Sequence, residues 1–122
     1  MRIGIASDHA GFEQKEILKP YLESKGFEVL DLGPDSDDRV DYPDFAEALA
    51  TKVADGSLER GVLICGTGIG MAMSAGKIRG IRIASITSPQ FAELSRQHND
   101  ANMIALSGRF VDPQTNRDIL DA

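Results

Sequence analysis

Cysteine is almost missing: Cys65 stands alone among 122 residues, which excludes an internal disulfide. Cys65 therefore also lacks the cysteine partner that short-spaced zinc sites use, and the only histidines, His9 and His98, stand far apart in sequence. No metal is expected. Basic charge is scarce as well, 13 lysines and arginines against 19 acidic residues, for a net charge of -6. A chain of that sign has no basic face for sequence-independent nucleic-acid binding or for an anionic membrane, so an anionic ligand has to be held locally. Long apolar runs are missing too. No stretch approaches the roughly 20 residues of a membrane span, and the run Met1-Arg-Ile-Gly-Ile-Ala6 is too short for a signal peptide. Repeats, low-complexity tracts and an interdomain linker are absent. A cytoplasmic enzyme or small-molecule binding protein is the expectation that remains.

What is present, 42% hydrophobic and 26% charged residues, suits one compact domain with one core. Short β-rich runs at Arg2–Ala6, Phe27–Leu32, Gly61–Cys65, Ile81–Ile86 and Met103–Leu106 alternate with helical patterns, a βαβ series. Near-continuous apolar strands such as Val62-Leu-Ile-Cys65 suit a parallel sheet covered on both faces and joined by right-handed crossovers. A helix is predicted from about Phe12 to Ser24 with an apolar stripe of Phe12, Ile17, Leu18, Tyr21 and Leu22; Pro20 should kink or break it and Gly26 should end it. Another is predicted from Pro43 to Ala54, with Phe45, Ala46, Leu49, Ala50 and Val53 on one apolar face. Gly33–Tyr42 reads as an acidic, polar loop. The expected fold is α/β, helices on both faces of a five-stranded, mostly parallel sheet, with ligands at the carboxyl ends of its strands.

The densest signal is Gly61-Val-Leu-Ile-Cys65-Gly-Thr67-Gly-Ile-Gly70, a buried strand that delivers the thiol into a glycine-rich turn before a helix. Gly66, Gly68 and Gly70 allow close approach of backbone to a ligand, and N–H groups at the following helix start point at negative charge. The spacing is not that of the common nucleotide loops, since Gly-x-Gly-x-x-Gly and Gly-x-x-x-x-Gly-Lys would each need glycine where Met71 stands. The loop alone supports an anionic small molecule. Without a ligand, Cys65 reads as a small buried hydrophobe and the glycines as a tight turn. Further polar clusters are Ser7-Asp8-His9-Ala10-Gly11 after the first strand, Arg96-Gln-His98-Asn99-Asp100 after the fourth helix and Ser107-Gly-Arg109 after the last strand. Taken singly, Asp8 is a helix N-cap and His98-Asn99-Asp100 a polar helix terminus. On one rim they would gather a thiol, a hydroxyl, both imidazoles, a carboxylate and a guanidinium. A hydrolase with Cys65 as nucleophile and the turn as oxyanion hole is chemically open, although nothing in the spacing selects acyl transfer.

With Asp41-Tyr42-Pro43, Gly80-Ile-Arg82 and Ser95-Arg-Gln-His98-Asn99-Asp100-Ala-Asn102 added, these motifs resemble, over nearly the whole chain, the bacterial type B ribose-5-phosphate isomerases, grouped with the galactose-6-phosphate isomerase subunits. The resemblance implies one domain over residues 1–122, a Rossmann-like three-layer αβα sandwich. It also implies an aldose–ketose isomerase of the non-oxidative pentose phosphate pathway, without metal or organic cofactor. The assembly implied is a homodimer with shared active sites, paired into tetramers in some members. His98, from the neighbouring subunit, would act with Asp8 to open the furanose ring. Cys65, as thiolate, would move the proton from C2 to C1 through a cis-enediolate. Thr67 and the N–H groups of Gly66, Gly68, Ile69 and Gly70 would stabilise the enediolate oxygens. His9 and Arg109 would hold the phosphate, Asn99 would orient sugar hydroxyls, and Tyr42 would line the pocket. The alternatives are a hexose-6-phosphate isomerase acting on galactose or allose, and a non-catalytic sugar-phosphate or nucleotide binding module. Two departures stand out. Gly76 replaces the asparagine usual in the helix after the glycine loop, and against the family pattern the C-terminal helix is expected to be shortened, the sequence reading Ile119-Leu-Asp-Ala122 at its end with Arg117 the only basic residue beyond Arg109.

Overall fold

Five strands and five helices alternate: β1 (Arg2–Ser7), α1 (Phe12–Ser24), β2 (Glu28–Asp31), α2 (Tyr42–Ala54), β3 (Arg60–Cys65), α3 (Ile69–Ala75), β4 (Ile83–Ser85), α4 (Pro89–Asn99), β5 (Met103–Ser107) and α5 (Pro113–Asp121). The computed structural model describes residues 1–35 and 42–122, with the backbone alone of Tyr42, so the role expected of the Tyr42 side chain lies outside the described residues. The sheet is parallel throughout, in the order β2-β1-β3-β5-β4.

Side chains alternate across this sheet, as a period of two requires, and divide the expected single core into two clusters. Ile3, Ile5, Val62, Ile64 and Leu106 pack with Leu18 and Leu22 of α1, Ala92 of α4 and Ile119 of α5. Ala6, Leu63, Cys65 and Met103 pack on the other face with Ala46, Leu49, Ala50 and Val53 of α2 and with Met71 and Ala75 of α3. The chain leaves β1 toward one face and β3 toward the other, although these strands are neighbours. Their carboxyl ends therefore part and leave a crevice, the place where a doubly wound sheet takes its ligand.

Helix α1 runs unbroken through Pro20, contrary to the break expected. Pro20 is exposed, and so is Glu16, whose carbonyl would have received the missing N–H. The helix ends in a Schellman turn: Gly26, at φ +91°, donates to Glu23 O and Phe27 donates to Leu22 O. Its buried stripe is not purely apolar, because Gln14 and Lys15 are enclosed beside Leu18 and Leu22. Strand β4 is shorter than expected because Ile81 closes a turn on Ile78 O instead of joining the sheet. Helix α5 has nine residues and starts on Asp112, whose Oδ1 accepts from Thr115 N–H at 2.7 Å. Among the described residues no helix is long and apolar enough to cross a membrane.

Candidate active site

Strands β1, β3 and β5 are adjacent, so the peptides leaving their carboxyl ends are neighbours. Asp8 N–H donates to Ile64 O at 3.1 Å, Gly108 N–H to Cys65 O at 2.7 Å and Arg109 N–H to Gly66 O at 3.2 Å. The approach of the β1 turn to β3 depends on Gly11, where a Cβ would run into the Ile64 carbonyl. Three of the polar clusters thus share one rim.

Cys65 is 5% exposed at the end of β3. Its sulfur accepts the Gly68 N–H at 3.1 Å, which aims it into the turn. Gly68 stands at φ +86°, a left-handed conformation that disfavours a side chain, and caps α3. Thr67 is exposed, and its Oγ1 accepts the Ile69 N–H at 3.1 Å, leaving the hydroxyl proton free to point outward. Two of the N–H groups expected for the ligand, those of Gly68 and Ile69, are therefore engaged within the loop. Those of Gly66, Thr67 and Gly70 donate to none of the described residues. They form the open donor set of the turn.

Asp8 does not cap α1. Gly11 is the N-cap, and Asp8 Oδ1 accepts its N–H at 2.9 Å, so the carboxylate closes the turn ahead of the helix. Asp8 is 8% exposed and sits beside His9, whose Nδ1 is enclosed without a hydrogen-bond partner among the described residues. Arg109 reaches across: a Cβ placed on Gly66 would lie 3.5 Å from Arg109 Cδ and 3.8 Å from Ala10 Cβ. The Arg109 side chain and the turn that carries His9 thus lie against the thiol loop, and a guanidinium with an imidazole suits a phosphate.

His98 and Asn99 do not join this rim within one chain, contrary to the expectation of four clusters together. A helix between two parallel strands runs antiparallel to them, so the last turn of α4 returns to the start of β5. The register pairs Gly61 with Met103 and Cys65 with Ser107. The α4 end is therefore separated from the thiol by the strand's length, about 13 Å for four steps of roughly 3.3 Å. Both residues are exposed there. The segment is clamped by Arg82 Nε donating to Asn99 O at 2.6 Å and by Arg96 Nη1 donating to Ala101 O at 2.6 Å, with Asp100 left-handed at φ +49°. Gly76, the C-cap of α3, lines a hollow with Arg82 and Asn99 at this same end. Its missing side chain bears on the α4 terminus and not on the thiol loop.

Two buried polar residues behind the site, Gln14 and Asn116, were not anticipated. Asn116 Nδ2 donates to Gln14 Oε1 at 2.6 Å and to Ser107 O at 3.1 Å, while Gln14 Nε2 donates to Gly108 O and Val111 O. Their signal in the sequence was position: Gln14 stands one turn before Leu18, and Asn116 one turn before Ile119 and Leu120. Among the described residues no cluster of His, Cys, Asp or Glu is placed to hold a metal ion.

The profile of the family described as Ribose/Galactose Isomerase matches residues 3–122. The sequence is 42% identical to ribose-5-phosphate isomerase B of Escherichia coli over 99% of this chain and 81% of that protein. The fold is similar to the solved ribose-5-phosphate isomerase B of Clostridium thermocellum, with a TM-score of 0.98 and 45% identity over 99% of this chain and 82% of that one. It is similar also to the Mycoplasma genitalium enzyme solved with bound ribulose-5-phosphate, TM-score 0.94 and 47% identity over 98% of this chain and 80% of that one.

Proposed function

This chain belongs to the ribose/galactose isomerase family, and we infer from that membership that it interconverts ribose 5-phosphate and ribulose 5-phosphate. The observation that carries the reading is the buried thiol at the end of β3, aimed by Gly68 N–H into a turn with three open N–H donors. Aldose–ketose exchange needs a base at C2 and donors at the two oxygens that carry the enediolate charge, and a thiolate beside such a turn supplies both.

In the mechanism we propose, Cys65 takes the proton from C2 and returns it to C1, while the proton on O2 passes to O1 and the carbonyl moves from C1 to C2. Thr67 Oγ1 and the N–H groups of Gly66, Thr67 and Gly70 receive the enediolate oxygens. His9 and Arg109 hold the phosphate. Opening of the furanose ring, a proton moved from the C1 hydroxyl to the ring oxygen, is assigned to Asp8 with His98. Since His98 and Asn99 stand at the far end of their own sheet, they serve the site of a second copy, which makes the working unit a dimer. A working thiolate suits a reducing compartment, so the cytoplasm is the proposed location.

The test is turnover of purified protein on ribose 5-phosphate, ribulose 5-phosphate, galactose 6-phosphate and allose 6-phosphate in parallel. The pentose pair should rank above both hexoses. A protein that binds ribose 5-phosphate without turning it over would be a binding module, and a higher rank for a hexose would reassign the substrate.

A further inference from the structure

We propose that Ser107 is a positioning residue of the isomerase, its hydroxyl holding the Gly66 carbonyl so that the Gly66–Thr67 peptide presents its N–H to the enediolate. This rests on the isomerase reading of the same site. Ser107 is 1% exposed at the end of β5, and its Oγ lies 2.7 Å from Gly66 O. The direction of that bond follows from its partners: a carbonyl only accepts, so the hydroxyl donates, and its lone pair takes the Phe110 N–H at 3.0 Å. Gly66 O thus accepts two bonds, from Ser107 Oγ–H and from Arg109 N–H at 3.2 Å, both arriving from the β5 side.

A trans peptide is planar, with C=O and N–H pointing in opposite directions. Anchoring Gly66 O toward β5 therefore turns the Thr67 N–H away from β5, and that N–H donates to no described atom. Ser107 is held in turn from behind. Asn116, fully buried, donates to Ser107 O, and Gln14, 6% exposed, donates to Gly108 O and Val111 O on the following turn. Glycine at position 66 has no side chain to resist a tilt of this peptide, so the orientation has to be imposed through hydrogen bonds. Without the hydroxyl a single, longer bond from Arg109 would remain. A donor aimed at charge that develops only during reaction acts on kcat more than on ground-state binding.

Ser107→Ala removes one oxygen and should leave the thermal midpoint within a few degrees. We expect kcat on ribose 5-phosphate to fall about tenfold or more, with KM changed less than about threefold, and Ser107→Thr to recover most of the loss. Affinity for a four-carbon phosphohydroxamate, which mimics the enediolate, should fall about as far as kcat. Independently of turnover, the Thr67 amide resonance of ¹⁵N-labelled protein should shift on adding this phosphohydroxamate to the wild type and much less in Ser107→Ala. Equal losses of ribose 5-phosphate and hydroxamate affinity, an unchanged kcat, or an undiminished Thr67 shift in the variant would overturn the assignment. A wild-type protein that turns over no pentose phosphate would overturn the isomerase reading instead, and the Thr67 shift would still decide whether Ser107 aims this amide.

Discussion

Cys65 is fixed twice over, by its place as the last residue of a central strand and by the Gly68 N–H on its sulfur. Replacing it by alanine removes the proposed base together with the acceptor of the Gly68 N–H. Cys65→Ala should lower kcat about 10²- to 10⁴-fold while KM stays within a few-fold, the split expected for a group that moves a proton. A variant keeping a tenth or more of wild-type kcat would end that assignment. A second residue with an outsized role is Lys15, wholly buried and paired with Asp31 at 2.8 Å. Burial pushes the Asp31 carboxyl up, but the hydrogen bond from Lys15, the Gly33 N–H and the nearby charges of Lys15 and Lys19 outweigh it, so its folded value lies below the ordinary one. A lowered folded value gives stability that is complete above the unfolded carboxylate's pKa and is lost as pH falls through the folded one. Urea midpoints should therefore be level near neutrality and drop below about pH 4, with Asp31→Asn lacking part of that drop. At neutral pH Asp31→Asn should cost about 3 kcal/mol, since it strands an enclosed ammonium with the half-exposed Glu16 as its remaining carboxylate partner. A loss below about 1 kcal/mol by urea denaturation would mean that Lys15 finds water or another partner.

Among the elements, α4 decides where the imidazole of His98 can act. Ser88 starts it, its hydroxyl accepting the Phe91 N–H at 3.3 Å, with Pro89 in the first turn. From there the helix has one direction available, back along the sheet, and Arg82 and Arg96 hold its last turn at the strands' amino ends. If His98 opens the sugar ring, the loss in His98→Asn should depend on whether the substrate has a ring. Initial rates from ribose 5-phosphate should fall about 10²-fold, the scale of one acid–base group. Those from ribulose 5-phosphate, which is acyclic, should fall several-fold less, the released open-chain aldose closing in solution. Equal losses in both directions would assign His98 a structural part in the pocket.

For the whole molecule, the roles proposed for Cys65 and His98, which stand apart within one chain, predict that catalysis needs a second copy. Beside the thiol loop, α3 leaves Ile69 56% exposed and Met73 68% exposed, one turn apart, an apolar face that a second copy would cover on bringing its α4 end to the site. Mixing inactive Cys65→Ala with inactive His98→Asn under exchange conditions gives mixed dimers in half the cases, each with one intact site of two. Recovered activity should approach about a quarter of wild type. No recovery after mass spectrometry has shown exchange, or a monomer that is fully active at assay concentration, would mean that each chain completes its own site.

The alternation of apolar strands with amphipathic helices sufficed for the α/β class, because periods of two and 3.6 are properties of neighbours along the chain. The Schellman turn at Gly26 and the thiol-bearing turn at Cys65–Gly70 were legible for the same reason, their bonds spanning only a few residues. Strand order was not, and with it went the sorting of the polar clusters. That Asp8, Cys65 and Arg109 share a rim depends on β1, β3 and β5 being adjacent, and that His98 does not depends on the direction of α4. The burial of Lys15, Gln14 and Asn116 was likewise hidden, since each draws a partner from another element, 16 residues away for Lys15 and Asp31 and 102 for Asn116 and Gln14. Local order in the sequence determines which segments form and which turns hold the thiol and the polar clusters. Where those turns meet is settled by packing, since hydrogen bonds and burial between distant segments exist only once the sheet has assembled.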